Sequence, residues 1–286
     1  MNTFKSAILI LTLMVSFNVA DSHGYNDRII HPLINYNAFL LAKPDYYLRS
    51  LNIDSGPNEV VSGLKIVDWI ARGGELEDSG SRALHHFHDP TKDWDQAGIW
   101  LLGFSSIHWS QDHTVHAAPS CDTVKSFGVE CPLAPPSANP NWSWPGSRNA
   151  FYQALTLPDK SKRDELLGRT FQSLGQVMHL LADASVPEHV RNDQHIFPRS
   201  RYEEFVSSDI VRLTNMLTPT SSGATDALKP EGLSITSTLL IPGFVPISNF
   251  WDTSYSAGYG SNLRGLAEYT NYNFLSVDTL YRRYPY

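Results

Sequence analysis

The sequence predicts an all-α fold built as one helical domain, and three observations carry that expectation. Apolar residues recur near a 3.6-residue period in several separate segments. No series of segments shows the apolar–polar alternation of strands. Stretches rich in Gly, Pro, Ser and Thr punctuate the periodic segments, as loops do. The 286 residues suffice for one substantial core, and 42% hydrophobic with 18% charged residues is an ordinary globular composition.

Taken in order, residues 1–20 read as a signal peptide. Lys5 precedes an apolar run from Ala7 to Val15, and small or polar residues follow as far as Ala20. The run is too short for a comfortable membrane span, which disfavours an uncleaved anchor. Cleavage after Ala20 makes Asp21 the first residue of the mature domain, expected over 21–286 in a secreted or periplasmic location. Periodicity predicts helices over Ile30 to Leu41 and Val60 to Ala71, the second closed by Gly73-Gly74. Residues 72–98 read as an irregular polar segment. Ile99 to Trp109 reads as a helix. Residues 117–146, with Pro135-Pro136, Pro140 and Pro145, read as a long ordered loop. Helices follow over Ser147 to Leu155, Lys160 to Leu181, Tyr202 to Leu217 and Ser256 to Tyr281, with a Ser/Thr/Gly/Pro-rich loop over 218–247.

Cys121 and Cys131 are the two cysteines. Export into an oxidising compartment favours a disulfide between them over a metal pair, whose spacing differs. Asn141-Trp142-Ser143 is a glycosylation sequon, relevant in a eukaryotic secretory pathway. The net charge is −7 and there is no Lys/Arg run, so no stable nucleic-acid complex held by phosphate contacts is expected.

Two clusters carry the chemistry. His179 and Asp183 lie four apart within the strongest helical segment, hence on one face, and His189 follows just beyond Pro187. An imidazole and a carboxylate on one face, with a second imidazole at the helix end, can converge on one metal cluster. A buried His bonded to a neighbouring Asp is the alternative for this triplet alone. The second cluster is Glu77-Asp78 followed by His85-His86-Phe87-His88-Asp89-Pro90. Three histidines in four residues point to metal binding or proton transfer, against the alternative of a solvated polar loop. His85 and His88 are expected to be exposed beside His86. His31, at a helix start near the mature terminus, is a third element. His108, His113 and His116 are expected at the surface. Trp94, Trp109, Trp142 and Trp144 are expected in packing or loop anchoring.

These blocks resemble the zinc-dependent phospholipase C family, which includes bacterial lecithinases and α-toxins, with the fungal single-strand nucleases as distant relatives. The match rests on His179-x3-Asp183-x5-His189, on Asp78 ahead of His86-Phe87-His88-Asp89-Pro90, on His31, and on Tyr202-Glu203-Glu204-Phe205. The resemblance implies a helical fold of the zinc-dependent phospholipase C type, with two or three zinc ions in one cleft. Carried over, Asp78, His86, His179 and Asp183 surround the first ion. Asp183 bridges to a second, completed by His31 and the terminal amino group, and His189 with Glu203 holds the third. The family places a His four residues before that Glu. This chain has Arg199 there, which cannot ligate because it stays protonated. His195 is the nearest substitute. Family members also usually begin with Trp, and none lies near the predicted cleavage site.

The implied activity is hydrolysis of a phospholipid head group by a metal-activated water, with Asp78 as general base, and with transient membrane-surface contact. A single-strand nuclease or phosphomonoesterase on the same scaffold, or a non-catalytic zinc-binding exported protein, are the alternatives. Nothing in the sequence points to a protein partner.

Overall fold

The computed structural model describes residues 29–99, 103–111, 142–194, 200–208, 251–252 and 265–276. Among them the helices are α1 (Ile30–Leu41), α2 (Asp45–Ser50), α3 (Ile66–Glu77), α4 (Ser106–Gln111), α5 (Trp144–Thr156), α6 (Lys160–Asp183), α7 (Arg201–Ser208) and α8 (Leu266–Asn273). Three short 3-10 turns supplement them. Two-residue strands β1 (Val60–Val61) and β2 (Leu64–Lys65) pair antiparallel, so the described residues are mostly helical. The predicted signal peptide, both cysteines, the sequon Asn141, His113, His116, His195 and Arg199 lie outside the described residues, as do most of the two predicted long loops.

Helix α6 is the spine. Asp159 caps its start, its carboxylate accepting from the N–H groups of Ser161 at 2.9 Å and Lys162 at 3.3 Å. One stretch of α6 delivers Phe171 to a core cluster with Phe39, Leu48, Val61, Val67 and Ile70. Two turns later it delivers Val177 and Leu180 to a second cluster with Ile107, Val190, Trp251 and Ala267. Helices α1, α3 and α5 pack along its length.

The spacing between α3 and α6 is set by two glycines. A Cβ on Gly73 would stand 2.1 Å from the Gln172 carbonyl oxygen, and one on Gly175 would stand 2.1 Å from that of Ile70. The backbones therefore touch, and Asn35 of α1 bridges the contact by donating from Nδ2 to the Gly175 carbonyl at 2.8 Å. Gly73-Gly74 thus does not close the second helix, as the sequence suggests. It lies inside α3, where close packing offsets the poor helix propensity of glycine.

The other departures also have local causes. The expected helix over Val60 to Ala71 begins only at Ile66, because Ser62 and Gly63, both at positive φ, turn the preceding chain into the β1–β2 hairpin. The segment after α3 turns in a 3-10 helix over Gly80–His85, and α4 starts at Ser106 rather than Ile99. Helix α5 begins at Trp144, capped by Ser143, with Pro145 in its first turn. Residues 265 and 274–276 are not helical, so α8 is much shorter than Ser256 to Tyr281. No helix among the described residues is long and apolar enough to cross a membrane.

Candidate metal centre

The C-terminal turns of α3 and α6 and the first turn of α1 meet at one buried point. His31 comes from α1, Asp78 from the C-cap of α3, and His179 and Asp183 from α6, one turn apart. His86 follows the 3-10 helix, His189 opens the turn His189–Arg191, and Glu203 comes from α7. All but Asp78 are individually buried, and the Asp78 side chain is itself only 4% exposed.

Asp183 is the hub. Its Oδ1 stands 3.3 Å from His31 Nε2 and 3.4 Å from His189 Nδ1. Its Oδ2 stands 3.1 Å from His86 Nδ1 and 3.3 Å from His179 Nε2. Asp78 Oδ1 lies 3.4 Å from His86 Nδ1 and 3.6 Å from His179 Nε2. His31 and His179 stack with ring centroids 3.6 Å apart. Neither Asp183 oxygen nor His179 Nε2 meets a hydrogen-bond donor or acceptor in good geometry. Ligands on bonds of about 2.0–2.1 Å in a tetrahedral zinc site stand about 3.3–3.4 Å from one another. The observed separations have that length, so the groups face a common space instead of bonding each other.

Two histidines have their orientation fixed from behind. His179 Nδ1 lies 2.7 Å from the Gly74 carbonyl, which can only accept, so Nδ1 carries the proton and Nε2 faces the cluster with its lone pair when the ring is neutral. His86 Nε2 lies 3.3 Å from the Glu77 carbonyl, leaving Nδ1 to face Asp78 and Asp183. These are the backbone partners that metal-ligating histidines characteristically have.

The electrostatics favour a cation. Burial alone would lower the His179 pKa, but the Asp78 and Asp183 carboxylates hold it up at about 9. Burial likewise opposes a charge on His189, and Asp183 and Glu203 overcome that, holding it well above its usual value. Burial would raise Asp183, yet His179, His189 and His86 hold it well below the usual carboxylate range. His31 goes the other way, lowered to about 4 by burial and by the neighbouring His179. In the metal-free protein, protons on His179 and His189 therefore occupy the role a cation would take. Among the described residues two groups could hold a metal ion, His31 with His179 and Asp183, and Asp78 with His86 and His179.

The third position is less complete. His189 Nε2 faces Glu203 Oε1 at 3.4 Å, while His195 and Arg199 lie outside the described residues. Glu188 is buried beside this pair, and burial raises its pKa. Sequence reasoning did not single it out, although it directly precedes His189.

Other expectations change. His88 is not exposed. It is buried, with Nδ1 3.1 Å from Ser105 Oγ and Nε2 2.9 Å from Asp252 Oδ2, and Trp94 Nε1 donates to the same carboxylate oxygen at 3.2 Å. His85 is half-buried and stacks on Trp109, with centroids 3.9 Å apart. His108 is half-buried, edge-on to Phe104. Trp109 is buried in the core and Trp94 and Trp144 pack against it, as expected. Comparison with family models, curated proteins and solved structures gives no match.

Proposed function

We propose that this chain is an exported zinc-dependent phosphoric ester hydrolase of the phospholipase C type. The observation that carries the reading is Asp183, buried with four imidazole nitrogens at 3.1–3.4 Å around its two oxygens. A carboxylate so placed suits a bridge between two ions. Borderline-soft nitrogen ligands with carboxylates fit zinc better than magnesium or calcium, which favour all-oxygen sites. Asp78, His86, His179 and Asp183 would hold one ion, His31 and Asp183 a second, and His189 with Glu203 a third.

Bound divalent ions acidify a water nucleophile and offset charge on phosphoryl oxygens. The chain's own residues do the rest. Asp78, with Oδ1 facing the shared space between His86 and His179, takes the proton from the attacking water. The Gly74 and Glu77 carbonyls hold the imidazoles in one tautomer throughout. The buried surroundings exclude bulk solvent and strengthen each electrostatic contact.

A second reading, a single-strand nuclease on the same scaffold, is favoured by one feature. Phe104, at the exposed edge, lies nearly parallel to Trp109 and to His85, the chain neighbour of His86, and an aromatic ledge of this kind can stack a base. Purified zinc-loaded protein assayed against phosphatidylcholine and single-stranded DNA, each with a chelator control, separates the two. The lipase reading requires chelator-sensitive release of phosphocholine. Turnover of DNA alone transfers the assignment to the nuclease, and inactivity on both substrates despite bound zinc contradicts the hydrolase reading.

A further inference from the structure

A cleft of about 300 Å³ lies between α5 and α6, and none of the residues that line it belongs to the candidate metal centre. Pro145, Gly146, Asn149 and Gln153 line it from α5, and Leu166 and Arg169 from α6. Its size is at the small end of ligand sites. Arg169 and His179 are ten residues apart on one helix, about 15 Å along its axis, so a ligand here does not reach the metal cluster.

Arg169 is the informative residue. Its Nε is buried and has no hydrogen-bond partner, and burial lowers the pKa of the guanidinium. The guanidinium carbon stands 5.6 Å from the centroid of the Trp142 ring, a cation–π contact that orients the group and leaves Nε–H without an acceptor. The carboxylate whose field reaches it is Glu165, exposed one turn earlier on the same helix. Asn149 and Gln153 sit one turn apart on α5 and line the same cleft, adding two side-chain amides that can donate. A planar guanidinium with an unused Nε–H donor, two amides lining the same cleft and a small apolar surface from Leu166 and Ala150 match a small oxyanion with a modest apolar body.

We propose that this cleft is a second binding site, which takes a small molecule through a phosphoryl or carboxylate group held by Arg169 and the amides of Asn149 and Gln153. The site is independent of the proposed hydrolase activity. The test follows the Arg169 Nε–H cross-peak in 15N-labelled full-length protein, identified by its disappearance in R169K. Inorganic phosphate and acetate are titrated separately, with ionic strength held constant by chloride. The expected result is a saturable shift of that peak with at least one anion, in the low millimolar range. Saturation by phosphate alone assigns a phosphoryl ligand, and by acetate alone a carboxylate. The double variant N149A/Q153A weakens binding several-fold, and H179A, which disables the metal centre, leaves it unchanged. A non-saturating response to both anions overturns the proposal. So does saturation that vanishes in H179A, because the anion then sits at the metal centre.

Discussion

Glu77 accepts a hydrogen bond of 3.0 Å from the Trp109 indole at Oε1, while Arg82 Nε donates to its Oε2 at 2.9 Å. This fully buried carboxylate is the neighbour of Asp78 in the chain, and its own carbonyl accepts from His86. Its fixed side chain therefore positions two candidate ligands from behind. In E77Q the amide cannot accept at both ends, so one donor faces another. We expect a loss of about 2–3 kcal/mol in metal-free stability, below the figure for a fully buried pair because Arg82 is partly solvated. Zinc should also bind more weakly. Urea unfolding in chelator and a competitive zinc titration measure the two effects, and unchanged zinc affinity would remove Glu77 from the account.

The metal-free protein should be most stable near pH 6–7. His179, raised from 6.5 to about 9, stabilises fully below pH 6.5, and this contribution is lost as pH rises through 9. It amounts to about 3 kcal/mol at roughly 1.4 kcal/mol per pH unit. His31, lowered to about 4, acts on the acid side: the unfolded chain takes up a proton below pH 6.5 that the folded chain refuses until about 4. Asp183, held well below 3.8, adds a further acid loss as pH falls through and below that value. Denaturant midpoints in chelator across pH 4–9 should trace a dome, and a flat profile between pH 6.5 and 9 would contradict the His179 environment.

Zinc loading should oppose the same protons. At neutral pH His179 and His189 are protonated in the metal-free protein and must release those protons to ligate. Affinity should rise about 100-fold from pH 6.5 to 7.5, two protons each giving about tenfold per unit. Calorimetry in buffers of different ionisation enthalpy should count about two protons released. A count of zero would contradict zinc binding through a protonated His179 and His189.

G175A should be costly despite placing alanine in a helix. The new Cβ would lie 2.1 Å from the Ile70 carbonyl oxygen, forcing α3 from α6. A loss of about 3 kcal/mol or more is expected. Because α3 carries the Gly74 carbonyl and Asp78, zinc affinity should fall with stability. A neutral thermal shift would show that the two backbones are not in contact.

Some of this was legible in the sequence because it is local. Helix α1 spans the predicted Ile30–Leu41, and α6 extends the predicted segment by one half-turn to Asp183. The i, i+4 spacing of His179 and Asp183 needs only a helix to put both on one face. What was not legible depends on contacts distant in the chain. Glycines that read as a helix stop in α3 are packing residues, a fact set by Gln172 and Gly175 about 100 residues later. His88 reads as exposed beside two other histidines, yet its partner Asp252 lies 164 residues away. The Glu77 network is hidden for the same reason, since Trp109 is 32 residues away and nothing in the intervening sequence marks the pairing.

The most direct measurement is the zinc content of purified, dialysed protein beside the variant D183N. Asp183 faces four imidazoles, and an amide keeps its shape but removes the charge and one ligating oxygen. The wild type should retain at least two zinc ions per chain, and D183N should lose at least one while staying folded at neutral pH. Fewer than two ions in the wild type, or the same content in D183N, would contradict a centre bridged by Asp183.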